Sequence, residues 1–375
     1  MLEGHRLTHV MVLNPGLGNW NQWLLGEEPP GNGPPNENNI PTMPPFNRNN
    51  GYMVPAEGDV IPFSALTPHP TDSAQYPLFR TELFQEALSA GRIGVVNGEY
   101  LKKSMRDEIL RYAPNTEFVD LTVEFDAMKA VKSPEEFTMI EQAAVIYDRA
   151  FSTMGLILQS GRTEHDAAVE LRFRLSQLGA STQDVGLLTA VKMVSAPQDS
   201  PRENEPQTHP GRRIKNQDRI DVIVNGYVPG GYAAALGRCY IVGTPTEQTR
   251  KDWEVAVKAQ HFAADAAKPG VCLREIKNEL LTQVLEPNGF LLEETCWMYG
   301  IGGYRCEVPR VSDDTANMPL RAGMALAIGP SIRRGNQNAY CCMDVYRITE
   351  SGAVRLSSTS QKLKILSGAA GQEVL

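Results

Sequence analysis

The segment Tyr299-Gly-Ile-Gly-Gly-Tyr304-Arg305-Cys306-Glu307-Val-Pro-Arg310 brings together several side chains able to do chemistry. A phenol in apolar surroundings keeps its proton and donates a strong hydrogen bond. Tyr299 can therefore serve as a general acid or steady an oxyanion, or it can simply fill space. Glu307 offers a carboxylate for general-base work. Cys306 becomes a nucleophile only beside a base or a cation. Arg305 is adjacent but expected to face away, so a structural thiol is the competing reading. Arg310 can grip a carboxylate. His209, flanked by Pro210, can exchange protons or be a plain surface residue of a loop.

The rest of the composition bounds what these groups can serve. A chain of 375 residues can bury a sizeable core and more naturally makes two domains than one. The formal charge of −8 argues against a nucleic-acid or anionic-membrane partner, and Arg212-Arg213-Ile214-Lys215 reads as a solvated turn. The N-terminus has no apolar run long enough for a signal peptide or a membrane span. The six cysteines are dispersed without CxxC spacing, which points to free thiols in a reducing cytoplasm. Adjacent Cys341 and Cys342 should face opposite sides of a strand, so no bridge is expected between them.

Residues 15–75, rich in Pro, Asn and Gly, cannot form long helices and are expected to be a surface loop or a loop closing over something. Within them, 51–64 reads as a hairpin with a Glu-Gly-Asp turn. Helical patterns at 77–90 and 100–113 alternate with strands at 92–97 and 116–122, as in a small α/β domain. A long helix then opens with Ser133 as N-cap, Pro134 at the first helical position and Glu136 at the third, and is expected to stop at Gly161. A second helix runs from Thr163 to Gly179. Another pair ends at Pro269-Gly270 and near Gly289. Strand-like segments follow each pair, a duplication at about 110 residues. It predicts two sheets related by pseudo-twofold symmetry, helices outside and a cavity between.

Several segments resemble the creatinase and aminopeptidase-P family. AVKSPEEFTMIEQAA is similar to the opening of its catalytic domain, and GYAAALGRCYIVGTPTEQ to its GYxSDxTRTFVVGxPSEEQ segment. YGIGGYRCEVPR resembles HGIGLEVHEPP, and PLRAGMALAIGP resembles VLEPGMVFTIEPG. The likeness spans about 120–358, in order. It implies an α+β fold: a creatinase-like N-terminal α/β domain over 1–125 and a duplicated pita-bread domain over 126–365. It also implies a homodimer with a shared active site.

Peptidases of this family hold two divalent metals with two Asp, one His and two Glu. The likeness sets Val224, Ala235, Tyr299, Gly329 and Met343 at those positions, so no metal and no other cofactor is expected. The acid/base His of creatinase aligns near Asn204 and its Glu at Gly237, so creatine-like hydrolysis is not expected either. Small residues in place of ligands should leave a roomier, more apolar pocket. The alignment turns Tyr232, Tyr304, Arg305, Cys306, Glu307, Cys342 and Met343 toward it. The expected catalytic residues are Tyr299, Glu307, Cys306 and Tyr232. The expected substrate contacts are Tyr304, Arg305, Arg310, His209, Met343 and Cys342. The reading is a metal-independent lyase, isomerase, cyclase or C–N hydrolase acting on a small organic molecule, with specialised metabolism as the expected setting. The alternative is an inert pita-bread scaffold that binds a partner.

Overall fold

The computed structural model describes residues 10–12, 60–62, 91–98, 103–179, 190–198, 200–201, 208–227, 231–293, 297–303 and 306–366. The chain forms two compact units, Met1–Asp126 and Ala127–Leu375.

In the first unit, strands β1 (Val10–Val12), β2 (Val60–Pro62), β3 (Arg92–Val96) and β4 (Glu117–Asp120) make a parallel sheet in the order β2-β1-β3-β4. Parallel neighbours need a crossover, and helix α1 (Lys103–Tyr112) supplies the one between β3 and β4. Ile93, Val95 and Val96 are buried, as expected of a short apolar strand in such a sheet. The second arm of the expected hairpin is β2, and it pairs in parallel with β1. The first arm and the helix expected over 77–90 lie outside the described residues. Helix α2 (Thr122–Ala130) follows.

The second unit opens with helix α3 (Pro134–Ser152). Ser133 Oγ accepts from the Glu136 amide while the Glu136 carboxylate takes the Ser133 amide, the capping box read from the sequence. Phe137, Ile140, Ala143, Ala144, Tyr147, Ala150 and Phe151 form its buried stripe. α3 stops at Ser152, short of Gly161, with Thr153 as its C-cap, and one separate turn, Met154–Ile157, intervenes. Helix α4 (Glu164–Gln177) is capped by Thr163, and α5 (Glu247–Ala266) by Thr246. α6 (Leu273–Leu280) completes the second pair. Gly179 and Gly270 follow their helices with φ of +98° and +92°, the left-handed turn that a Cβ would strain.

The first helix pair covers a sheet ordered β16-β7-β6-β5, from β5 (Ala190–Pro197), β6 (Asp218–Tyr227), β7 (Ala233–Val242) and β16 (Lys364–Leu366). The second pair accompanies a sheet ordered β10-β9-β11-β14-β15. Its strands are β9 (Trp297–Gly300), β10 (Glu307–Arg310), β11 (Ala325–Gly329), β14 (Asp344–Thr349) and β15 (Gly352–Arg355). A small third sheet joins β8 (Leu291–Leu292), β12 (Ser331–Arg333) and β13 (Tyr340–Cys341). The two large sheets meet where Gly237 and Met343 exchange amide hydrogen bonds of 3.0 and 3.2 Å.

Behind that junction Arg238 and Asp344, both fully buried, form an ion pair at 2.6 Å. Arg238 also donates to the carbonyls of Gly237, Met343, Thr359 and Ser360. The basic cluster at 212–215, expected as a solvated turn, is an extended segment bridged antiparallel to Thr163 through Arg213, with Ile214 buried; Arg212 pairs with Asp218 at 2.8 Å and Arg213 bonds the Gly161 carbonyl. No helix among the described residues is long and apolar enough to cross a membrane.

Candidate functional site

The site grows from the β6–β7 hairpin. The register sets Asn225 opposite Ala235 and Val224 opposite Leu236. Successive side chains on a strand face opposite ways, so Asn225 and Ala235 share one face and Val224 turns to the other. The Asn225 amide nitrogen lies 2.5 Å from the Tyr299 hydroxyl on β9, and both residues are buried. Val224 matches the first acidic position in sequence, but Asn225 is the side chain that meets Tyr299. A polar residue within the apolar run Val222-Ile223-Val224 was the available signal.

Tyr299 is well insulated. Burial, and then the nearby Cys306, Cys341 and Tyr147, push its ionisation well above the ordinary phenol range, while the Asn225 donor acts in the opposite sense. The group is a neutral phenol throughout the physiological range.

Gly329 at the end of β11 and Met343 before β14 pack against each other and against Gly237. A Cβ built on Gly329 would come within 2.5 Å of the Met343 Cβ, and one on Gly237 within 3.0 Å. The Met343 side chain therefore occupies the space that a side chain at position 329 would need. The two neighbouring cysteines separate by face. Cys341 bonds the Gly329 carbonyl within the cluster that holds Tyr299 and Met343. Cys342 bonds Gln260 Oε1 in the cluster beneath α5, so it lies behind the site and not in it. Burial pushes the Cys342 thiol up to about 12, which makes it inert.

Glu307 is buried at the start of β10, where Oε2 meets Lys132 Nζ at 2.5 Å. Lys132 also bonds the Lys129 carbonyl. The expected general base is thus one half of a buried ion pair, a partnership across 175 positions that no local pattern announces. Gly302 packs over it, and a Cβ there would sit 2.9 Å from Lys132 Nζ and 3.0 Å from Glu307 Oε2.

Tyr232 is half-buried and donates to Glu136 Oε1 at 3.0 Å. Burial, that bond, and the charges of Glu136 and Glu307 push its phenol up to about 12. Glu136 therefore has two duties: its other oxygen closes the capping box of α3. Cys306 is exposed and close enough to Tyr299 to affect its ionisation. Arg310 is half-exposed and pairs with Asp313 at 2.5 Å within its own turn.

His209 stands apart from this group. It is exposed, and its Nδ1 accepts from the Gly211 and Arg212 amides, each at 3.0 Å, so the ring caps a turn. Its own amide donates to Glu164, inside a polar cluster with Ser195, Arg212 and Asp218. Tyr304 and Arg305 lie outside the described residues. The structure thus gathers Tyr299, Asn225, Cys341 and Met343 in one place, and Tyr232, Glu136, Glu307 and Lys132 around the turn beside it.

The positions that the resemblance assigns to metal ligands carry Ala235, Tyr299, Gly329, Met343 and, on β6, Val224 or its neighbour Asn225. None presents a carboxylate or an imidazole. Four of the five, all but Gly329, belong to the hydrophobic cluster of the first sheet. Among the described residues no group of three or more His, Cys, Asp or Glu is arranged to hold a metal ion. Hard divalent cations need anionic oxygen or imidazole donors, so these residues do not fit a dinuclear centre.

Comparison with known proteins places the chain. Over 241 residues it is 27% identical to the Xaa-Pro dipeptidase of Pyrococcus furiosus, an alignment covering 63% of this chain and 65% of that protein. It thus spans just under two thirds of that relative. The Xaa-Pro dipeptidase of Pyrococcus horikoshii is 26% identical over 259 residues, covering 68% and 71%. Among solved structures, the prolidase from Pyrococcus horikoshii OT3 superposes with a TM-score of 0.60 at 23% identity, over 75% of this chain and 79% of that one. An Xaa-Pro dipeptidase from Bacillus anthracis gives 0.64 at 18%, over 82% and 81%. These likenesses carry the α+β pita-bread fold. Residues 138–360, more than half of the sequence, match metallopeptidase family M24 as a whole, and the chain belongs to that family.

Proposed function

We propose that this chain is a metal-independent member of family M24 that acts on a small organic substrate by acid/base chemistry, with Tyr299 as proton donor. One observation carries the reading. Where the resemblance expects metal ligands, the chain has a buried neutral phenol held by Asn225 among Ala235, Cys341 and Met343. An insulated phenol suits proton donation or oxyanion stabilisation in a lyase, isomerase, cyclase or C–N hydrolase. Tyr232, Glu136, Glu307 and Lys132 form the polar wall, and Cys306 stands exposed beside Tyr299. In this reading Glu307, paired with Lys132, sets charge at the site. The relatives named Xaa-Pro dipeptidase suggest peptide hydrolysis, but a metal-borne route would need donors that these positions do not supply.

The five described cysteines are all free thiols, which supports a cytoplasmic setting. The homodimer implied by the family resemblance belongs to the same proposal.

The test is metal analysis of the purified protein, followed by a thermal-shift and turnover screen of small organic compounds with EDTA present. We expect no stoichiometric Mn, Fe or Zn. We also expect a compact organic ligand whose turnover survives EDTA and is lost in Tyr299→Phe. Full metal occupancy, or EDTA-sensitive Xaa-Pro cleavage, would sink the reading. Binding of a protein partner with no small-molecule stabilisation would favour an inert scaffold.

A further inference from the structure

We infer that Asn225 is the positioning residue that fixes Tyr299 as a hydrogen-bond donor directed away from β6. This rests on the reading of Tyr299 as the acid of the site and deepens it.

An amide side chain in the middle of a buried apolar strand is costly unless hydrogen-bonded. Asn225 is such a residue: it follows Val222, Ile223 and Val224 and is nearly as buried as they are. Its amide nitrogen meets the Tyr299 oxygen at 2.5 Å, 74 residues along the chain and on the other large sheet. An amide N–H can only donate. The phenol oxygen therefore accepts from Asn225, and the O–H bond must point elsewhere than toward β6. A donor on that oxygen also stabilises negative charge as the phenol releases its proton, and Asn225 acts in that direction on Tyr299 ionisation. Ala235, directly across from Asn225, leaves the pair without a competing polar side chain from β7. One amide thus ties the acid of the site, supplied by the second repeat, to a strand of the first.

The experiment reads Tyr299 directly by NMR of protein carrying 13C at the tyrosine Cζ. The Tyr299 signal is identified by its absence in Tyr299→Phe. Two variants are compared with the parent: Asn225→Asp, nearly isosteric but an acceptor when ionised, and Asn225→Leu, which removes hydrogen bonding. Asn225→Asp should turn the bond around, so that the phenol donates to the new carboxylate and its Cζ signal moves downfield toward the phenolate position. Asn225→Leu should also displace the signal, without that downfield move. A Tyr299 signal in Asn225→Asp that coincides with the parent overturns the inference, because packing alone would then account for Asn225. If Asn225→Leu does not fold, Asn225→Asp alone decides. The measurement needs no substrate. Failure here therefore leaves the acid/base reading to its own test, and failure to find a substrate leaves this pairing intact.

Discussion

Gly329 and Met343 contend for the same volume at the meeting of the two large sheets. A side chain begun on Gly329 would lie 2.5 Å from the Met343 Cβ, 2.7 Å from its Cγ and 2.9 Å from its Cα. The Met343 backbone is held by a reciprocal amide bridge to Gly237, so it has little freedom to retreat. A longer side chain at position 329 would mean rebuilding the junction.

Gly329→Ala should therefore destabilise the protein by about 1–3 kcal/mol through overpacking, and Gly329→Glu by more. Urea unfolding monitored by circular dichroism measures this. A Gly329→Ala protein as stable as the parent would show that Met343 yields easily.

Arg238 and Asp344 lie directly behind that junction, both fully buried. Arg238→Met takes the nearer cation from the Asp344 carboxylate, leaving Arg355 at 3.8 Å, and should cost about 3–5 kcal/mol. Arg238→Lys should recover little, because an ammonium has three donors and Arg238 serves Asp344 and four carbonyls. Denaturant midpoints for the two variants test this. Near-parental stability of Arg238→Lys would contradict it.

Lys132→Met takes the buried cation away from the Glu307 carboxylate, and a loss of about 3–5 kcal/mol is expected. The double change Lys132→Met/Glu307→Leu should be the more stable of the two, because nothing charged is then left behind. If the double variant is the less stable, the pair is worth more than its desolvation.

Tyr299→Phe should keep the fold, losing about 1 kcal/mol with the Asn225 hydrogen bond. Turnover of any substrate found in the screen should fall ~10²–10⁴-fold, the usual contribution of a general acid. Undiminished turnover would remove Tyr299 from the mechanism.

Alkaline stability follows from tyrosines whose ionisation burial opposes. Tyr232 and Tyr340 are each pushed up to about 12, against about 10 in the unfolded chain. Below pH 10 both groups are protonated in both states and their contribution is fully present. Between about 10 and 12 the unfolded chain alone loses the protons, so stability falls as pH rises through that window. Unfolding free energies measured from pH 9 to 12 should decline, and less steeply in Tyr340→Phe. Parallel curves for that variant and the parent would exclude Tyr340 as a source.

Much of this architecture was legible in the residues themselves. Ser133 with Glu136, Thr163 and Thr246 mark helix starts because their side chains bond the first free amides. Gly179 and Gly270 mark helix ends because only glycine turns left-handed without strain. These are interactions within a few positions, and a linear sequence displays them. The recurrence of helix pair and strands, and the motifs shared with the family, extended that legibility to the fold.

What tertiary structure decided is which face and which partner each side chain received. Val224 and Asn225 are neighbours in sequence, yet strand alternation turns only Asn225 to Tyr299. Cys341 joins the site and Cys342 does not, for the same reason. Glu307 reads locally as a lone base and becomes half of an ion pair with Lys132. His209 reads as a possible acid or base and spends its ring nitrogen on a turn. Residue type determines what a group can do. Register and long-range packing determine what it meets, because those contacts join positions that only the folded sheets bring within hydrogen-bonding distance.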